Sequence, residues 1–327
     1  MRHAMTMRAA AAIAKEPTQT SITKVISRLT GEEAIVVHGK VWLFGLFILL
    51  GVLIAGPTQA EISYLAQRDS HTVVIVGTIH MGSGPETRLR SETKDHIYSS
   101  DKVYLELASS DLAGAYFRMM REGRRNGPPL SETLEPELWE AFSSFTQSYG
   151  LPGATIDTLE MWMISILLTP QIATKAGFNA HYGIEAGLYT ALARADIQGY
   201  GLESVDDQLS AIRKTLANTS DAEIALSLMS EGEDAIEELR ELELTWRAGN
   251  LDGLMDAIYA SATYTELEWL LDHRNIAWFD YLQDTYGHRE APLKLFIAVG
   301  AGHLGGETGL LQLFADAGYE VTPLHAH

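Results

Sequence analysis

Val74-Ile75-Val76-Gly77-Thr78-Ile79-His80 and Ile297-Ala298-Val299-Gly300-Ala301-Gly302-His303 decide the fold. Each is an apolar run that ends in Gly-x-x-His. Glycines follow both histidines, at Gly82 and Gly84 and again at Gly305, Gly306 and Gly309. A helix-like stretch comes next, at 85–99 and 307–317. A second apolar run then closes each unit, Val103–Leu107 and Tyr319–Leu324. Strand, Gly-x-x-His, helix, strand therefore occurs twice, over 200 residues apart. The pattern predicts two βαβ-like units in one sheet.

A short continuous run of Val and Ile suits a strand buried on both faces. In such sheets functional groups collect beyond the carboxyl ends of the strands. His80 and His303 lie just past such ends, and Glu106 lies near the carboxyl end of the strand that closes the first unit. The placement predicts that the three converge on one edge, with both histidines bordering a solvent crevice. The expected fold is α/β: a central sheet with the two units and a large helical insertion, about 111–290, over the site. Two histidines and a carboxylate suit Zn²⁺, Mn²⁺, Co²⁺ or Fe²⁺ and leave positions open for water. Such a metal lowers the pKa of bound water and polarises a carbonyl.

Seven stretches in order resemble the TraB/PrgY/GumN family, which is related to the TIKI proteases and more distantly to erythromycin esterase-like proteins. They are Gly77–His80, Leu105-Glu106-Leu107, Gly183-Ile184-Glu185 with Leu188, Gly201–Ser204 with Gln208, Trp246–Asn250, Arg274-Asn275 and Gly300–His303. Glu185 departs from the pattern, which has Asp there. The resemblance implies an α/β protein and a metal-dependent peptidase, with His80, Glu106 and His303 binding a divalent Mn, Co or Zn ion. It also points to a metal-free alternative, in which His80 is a general base oriented by a carboxylate and hydrolyses a small ester. A third reading is a non-catalytic protein that binds a peptide signal or serves polysaccharide export.

Arg274 and Asn275 match the family's Arg-Asn pair on a helix. Adjacent helical residues diverge by about 100°, so one is expected to face the site and the other elsewhere. Arg274 has two candidate roles: holding a substrate carboxylate or developing oxyanion, or pairing structurally with Glu106 or Glu203. Glu203 ends another apparent strand and either reaches the same edge or caps a helix. Gln208, Gly77 and Gly300 complete the candidate set, supporting the ligands or touching substrate. His71, His96, His181, His273, His288, His325 and His327 have no comparable context.

The chain has 327 residues and no cysteine, which excludes disulfides, thiolate metal sites and a cysteine nucleophile. Positions 1–60 hold six basic and three acidic residues, leaving a net charge of −22 for 61–327. An acidic body argues against nucleic acid and anionic membrane surfaces as partners; a peptide or small molecule remains. The apolar run 41–55, preceded by Lys40 and followed by Gly56-Pro57-Thr58-Gln59-Ala60, has the pattern of a secretory signal. It predicts removal of residues 1–60 and an exported protein, periplasmic or secreted, with 61–327 as one domain. An uncleaved signal-anchor would be its sole membrane attachment. Leu159–Ala176 reads as a buried helix too short to span a bilayer. Asp221–Ala248 reads as a long acidic helix pair whose Glu231, Glu233, Asp234, Glu237, Glu238, Glu241 and Glu243 form a solvated face.

Overall fold

The computed structural model describes residues 61–85, 88–230 and 234–325. The signal-like segment and residues 231–233, with Glu231 and Glu233, lie outside the described residues. Six strands form one mixed sheet: β1 (Ser63–Arg68), β2 (His71–Thr78), β3 (Lys102–Leu107), β4 (Gly199–Glu203), β5 (Leu293–Gly300) and β6 (Glu320–Pro323). Their spatial order is β4-β3-β5-β2-β1-β6. β2, β5, β3 and β4 run parallel, and β1 is antiparallel to both β2 and β6. Both expected units are present and interleaved. The first crosses from β2 over β5 to β3 through the helix Ser91–Ser99, and the second from β5 over β2 and β1 to β6 through Leu310–Asp316.

The apolar runs explain the centre of the sheet. Val74, Ile75, Val76, Phe296 and Ile297 are each at most 2% exposed. Full burial of one such side chain contributes about 1.5–3 kcal/mol. β1 was not evident from sequence, because Ser63-Tyr64-Leu65-Ala66-Gln67-Arg68 mixes polar and apolar residues. Its place is fixed by a two-residue turn, Asp69-Ser70, with Arg68 paired to His71 and Asp69 at φ 54°. A left-handed residue in such a turn matches the twist of the flanking strands.

The register of the two motif strands departs from their sequence equivalence. Gly77 and Gly300 are counterparts in the repeat, yet Gly77 pairs with Val299 and Thr78 with Gly300. An offset of one residue turns every side chain to the opposite face. Equivalent motif positions therefore point to opposite sides of the sheet, and the two histidines leave it in different settings.

Between β3 and β5 the described residues are mostly helical, with β4 the one named strand among them. The helices Pro136–Ser148, Met161–Lys175, Val205–Thr215 and Asp221–Ser230 bury a second apolar cluster around Phe142, Met163, Leu168 and Leu228. Among the described residues no helix is long and apolar enough to cross a membrane. The acidic helix Asp234–Arg247 is not a uniformly solvated face: Glu243 is 4% exposed and accepts from the Ser83 N–H at 3.0 Å. His325 also has a partner. Its Nε2 lies 3.1 Å from the buried carboxylate of Glu61, which accepts from Ser63 Oγ at 3.1 Å and the Arg90 N–H at 2.9 Å.

Candidate functional site

A cavity of about 200 Å³ opens at the carboxyl edge of the parallel strands. Its polar lining is Thr78, His80, Glu106, Glu185, Tyr189 and Gln208, and its apolar walls are Leu105, Leu107, Leu188 and Ala298. β2 delivers Thr78 and the loop after it His80; β3 delivers Glu106. The helix Ile184–Ala195 delivers Glu185 from its first turn and Tyr189 one turn later, at the i,i+4 spacing that shares a face. Gln208 comes from Val205–Thr215, which starts directly after β4. A reciprocal cap fixes that start: Ser204 Oγ accepts from the Asp207 N–H at 3.2 Å, and Asp207 accepts from the Ser204 N–H at 3.1 Å.

His80 and Glu185 form the pair at the mouth. Nδ1 of His80 is 3.0 Å from Oε1 of Glu185, and Thr78 Oγ1 donates to the same oxygen. In the neutral ring the Nδ1–H donates, which leaves the Nε2 lone pair on a ring that is 74% exposed. The Glu185 carboxylate raises the His80 pKa to about 9. Solvent around the exposed ring screens that attraction, so its direction carries the argument. Burial alone would push Glu185 up, but His80 and the Thr78 hydroxyl hold it below its ordinary value. Burial pushes the Tyr189 hydroxyl up to about 12, keeping it a proton donor. The helix carrying Glu185 approaches the His80 loop closely. Ile184 N–H donates to Ile79 O at 3.0 Å, and a Cβ on Gly183 would fall 2.1 Å from the His80 carbonyl oxygen.

His303 lies elsewhere. It ends a 3₁₀ turn, Ala301–His303, and is 4% exposed, which corrects the expectation that both histidines border solvent. Its Nδ1 is 2.7 Å from Asn275 Oδ1 and its Nε2 is 3.1 Å from Arg274 Nη1. Arginine has only donors, so Nε2 accepts and Nδ1 carries the proton. Burial, and then Arg274, lower the His303 pKa to about 3, so the ring is neutral. Trp278 packs on it at 4.5 Å between ring centroids.

Arg274 and Asn275 open the helix His273–Tyr286, entered through a π-helical turn at Glu268–Asp272. Such turns recur at functional sites. Both residues reach His303, one on each ring nitrogen, so the expectation that one would point elsewhere is corrected. Arg274 also takes the ion-pair role. Its Nε and Nη2 bond Glu203 at 2.9 and 2.7 Å, and Nη2 bonds Glu106 Oε2 at 2.8 Å. Glu106 also accepts from the Gly300 N–H at 2.7 Å and from Gln208 at 3.2 Å. Burial would raise the Glu106 pKa, but Arg274 first, then His303, His80 and the Gly300 N–H, together outweigh it and lower the carboxyl to about 2, ionised. Burial raises Glu203 against the pull of Arg274. Gly77 contributes its carbonyl, which accepts from Trp246 Nε1 at 2.8 Å.

The predicted ligand set thus splits. His80 and Glu106 share the cavity, while His303 stands behind Glu106, 3.9 Å from its Oε1. As arranged, the three do not fit a divalent ion, because Arg274 caps the one lone pair His303 can offer and also binds Glu106. Among the described residues no three His, Asp or Glu side chains are grouped to hold one. Sequence reading left Glu185 without a role and passed over Tyr189. The available signal was the stretch Gly183-Ile184-Glu185 with Leu188 and Tyr189 on one helical face.

Fold and site together describe an α/β protein with a histidine–carboxylate pair at the carboxyl edge of its sheet. The sequence model of the TraB/PrgY/gumN family matches residues 63–323, and the chain belongs to that family. An uncharacterized protein of Treponema pallidum (strain Nichols) is 25% identical over 144 residues, 43% of this chain and 43% of its own length. The matched region is thus less than half of that relative.

Proposed function

We propose that the protein is a hydrolase in which His80 is the general base and Glu185 orients it. The observation that carries this reading is the 3.0 Å contact between His80 Nδ1 and Glu185 at the mouth of a cavity, with Nε2 left open. Neutral His80 takes a proton from water through Nε2 while that water attacks a carbonyl carbon seated in the cavity. Glu185 stabilises the imidazolium that forms. The carbonyl π bond opens to an oxyanion; when it re-forms, the leaving alkoxide or amine departs with the proton from His80. A general base of this kind supplies about 10²–10⁴ in rate.

The substrate class follows from the cavity. At about 200 Å³ it is smaller than the ~300–1,000 Å³ typical of drug-sized ligands. It suits a small acyl group or one side chain of a peptide, with the rest of the substrate outside. The signal-like segment 41–55 supports export to the periplasm or beyond. The test is turnover of nitrophenyl esters of short acyl groups and of peptide anilides, with chelator and then with Mn²⁺, Co²⁺ or Zn²⁺. Turnover that survives chelation and is lost in His80→Ala supports the reading. Turnover that needs added metal, or that His80→Ala leaves intact, overturns it.

A further inference from the structure

We propose that Arg274 is the resident cation of the inner site, filling the position that a divalent metal would need between His303, Glu106 and Glu203. The proposal is independent of the hydrolase reading. It rests on the complete use of one side chain's donors. A guanidinium carries five N–H groups. Nε–H bonds Glu203 Oε2 at 2.9 Å. The two Nη2 hydrogens bond Glu203 Oε1 at 2.7 Å and Glu106 Oε2 at 2.8 Å. The two Nη1 hydrogens bond the Leu270 carbonyl at 2.8 Å and His303 Nε2 at 3.1 Å. All five are satisfied, and the guanidinium carbon lies over the Trp278 ring, 4.7 Å from its centroid.

The partners are the donor types a metal would draw on: two carboxylates and a neutral imidazole. Each partner is held for the guanidinium. Asn275 Oδ1 accepts from the His303 Nδ1–H, which presents the Nε2 lone pair to Arg274. Gly300 and Gln208 fix Glu106, and Trp278 Nε1 donates to Glu203 at 3.3 Å. A second cation cannot enter without displacing a side chain that is 12% exposed and bonded on every donor. His303 is then a positioning residue for Arg274, and Arg274 is the foremost of the groups that keep Glu106 ionised beside the cavity. The proposal also predicts latent metal binding. Without the guanidinium, Glu106, Glu203 and His303 Nε2 lose the partner they share, and a divalent ion would have to draw these one-histidine, two-carboxylate donors together, since as placed they do not form a ligand group.

The test uses stability and needs no substrate. Tag-free protein is melted with and without MnCl₂, CoCl₂ or ZnCl₂, as wild type, His303→Gln, Arg274→Ala and the double variant. A ligand that binds only the folded state raises Tm. The readout is the part of the metal-induced rise that His303→Gln removes. The proposal expects none in the wild type and a clear rise in Arg274→Ala. A His303-dependent rise in the wild type overturns it, and so does absence of one from both backgrounds. If Arg274→Ala does not fold alone, refolding is attempted with each metal. Recovery that His303→Gln prevents supports the proposal; no recovery with any of the three overturns it.

Discussion

Thr78 and Gly300 sit side by side in neighbouring parallel strands, although the motif counterpart of Gly300 is Gly77. That single-residue offset separates two histidines that look identical in sequence. His80 emerges at a cavity mouth with its side chain 74% exposed, and His303 turns inward among Asn275, Arg274 and Trp278.

The two histidines should therefore respond oppositely to truncation. His80→Ala removes the hydrogen bond to Glu185, a loss of about 0.5–1.5 kcal/mol, and is expected to reduce turnover by about 10²–10⁴. His303→Ala opens a buried space and strips a partner from both Arg274 and Asn275, a loss of about 2–5 kcal/mol. Thermal melts beside turnover assays check this. Equal melting temperatures for the two variants would contradict the burial described for His303.

Turnover should rise with pH. The His80 pKa is raised to about 9 by Glu185, so at neutral pH much of the base is protonated. The kcat/KM profile should climb between the ordinary histidine value near 6.5 and about 9. Glu185→Gln removes the carboxylate charge and should move the limb to lower pH. A limb that stays in place in Glu185→Gln rules out the pair as the titrating unit.

Acid should destabilise the fold in two overlapping windows. His303 has a pKa lowered to about 3, so the unfolded chain binds the extra proton first. Its stabilising contribution is present above about 6.5 and is lost as pH falls through that window toward 3. Glu106 is held near 2 against an ordinary 4.5, so its contribution is present above 4.5 and is lost toward 2. Each pKa unit corresponds to about 1.4 kcal/mol. Denaturant titrations from pH 7 to 3 measure this. His303→Gln should flatten the upper window, and an unchanged slope there would reject a buried neutral imidazole.

Gly183→Ala should impair turnover through the position of His80. The added methyl carbon would meet the His80 carbonyl oxygen at 2.1 Å, so loop or helix must move. Overpacking of this kind is destabilising by about 1–3 kcal/mol. A crystal structure of the variant should show the His80–Glu185 contact lengthened. An unmoved loop with full activity would show that the spacing is not needed.

Export predicts a mature chain that begins at Glu61. N-terminal sequencing of protein from the cell envelope or medium checks it. A full-length cytosolic product would show the signal reading to be wrong.

The sheet was largely legible because its information is local. Val73–Val76 and Leu295–Val299 are apolar without interruption, and glycines mark their ends. The helices Met161–Lys175 and Val205–Thr215 were likewise readable from apolar pattern and position. β1 was not, because its polar-mixed sequence becomes a strand only by pairing with β2 and β6. The site was legible in part. Strand-end placement marked His80, Glu106 and His303, and the resemblance marked Arg274 with its partner Glu203. What sequence could not supply was depth and register. No local pattern says that β2 and β5 pair one residue out of step with their motifs, and this decides which histidine meets solvent. Nor does spacing bring Glu185 to His80 across more than a hundred residues.

The strand between β3 and β2 is β5, and the chain reaches it only at Leu293. During synthesis, β2 and β3 emerge early with a gap between them that neither can fill. Ala298, a wall of the cavity, and Gly300, the donor that fixes Glu106, belong to that late strand. No nascent or prematurely terminated chain ending before it can carry the pocket. Assembly of the site is thus deferred until Leu293–Gly300 has been made.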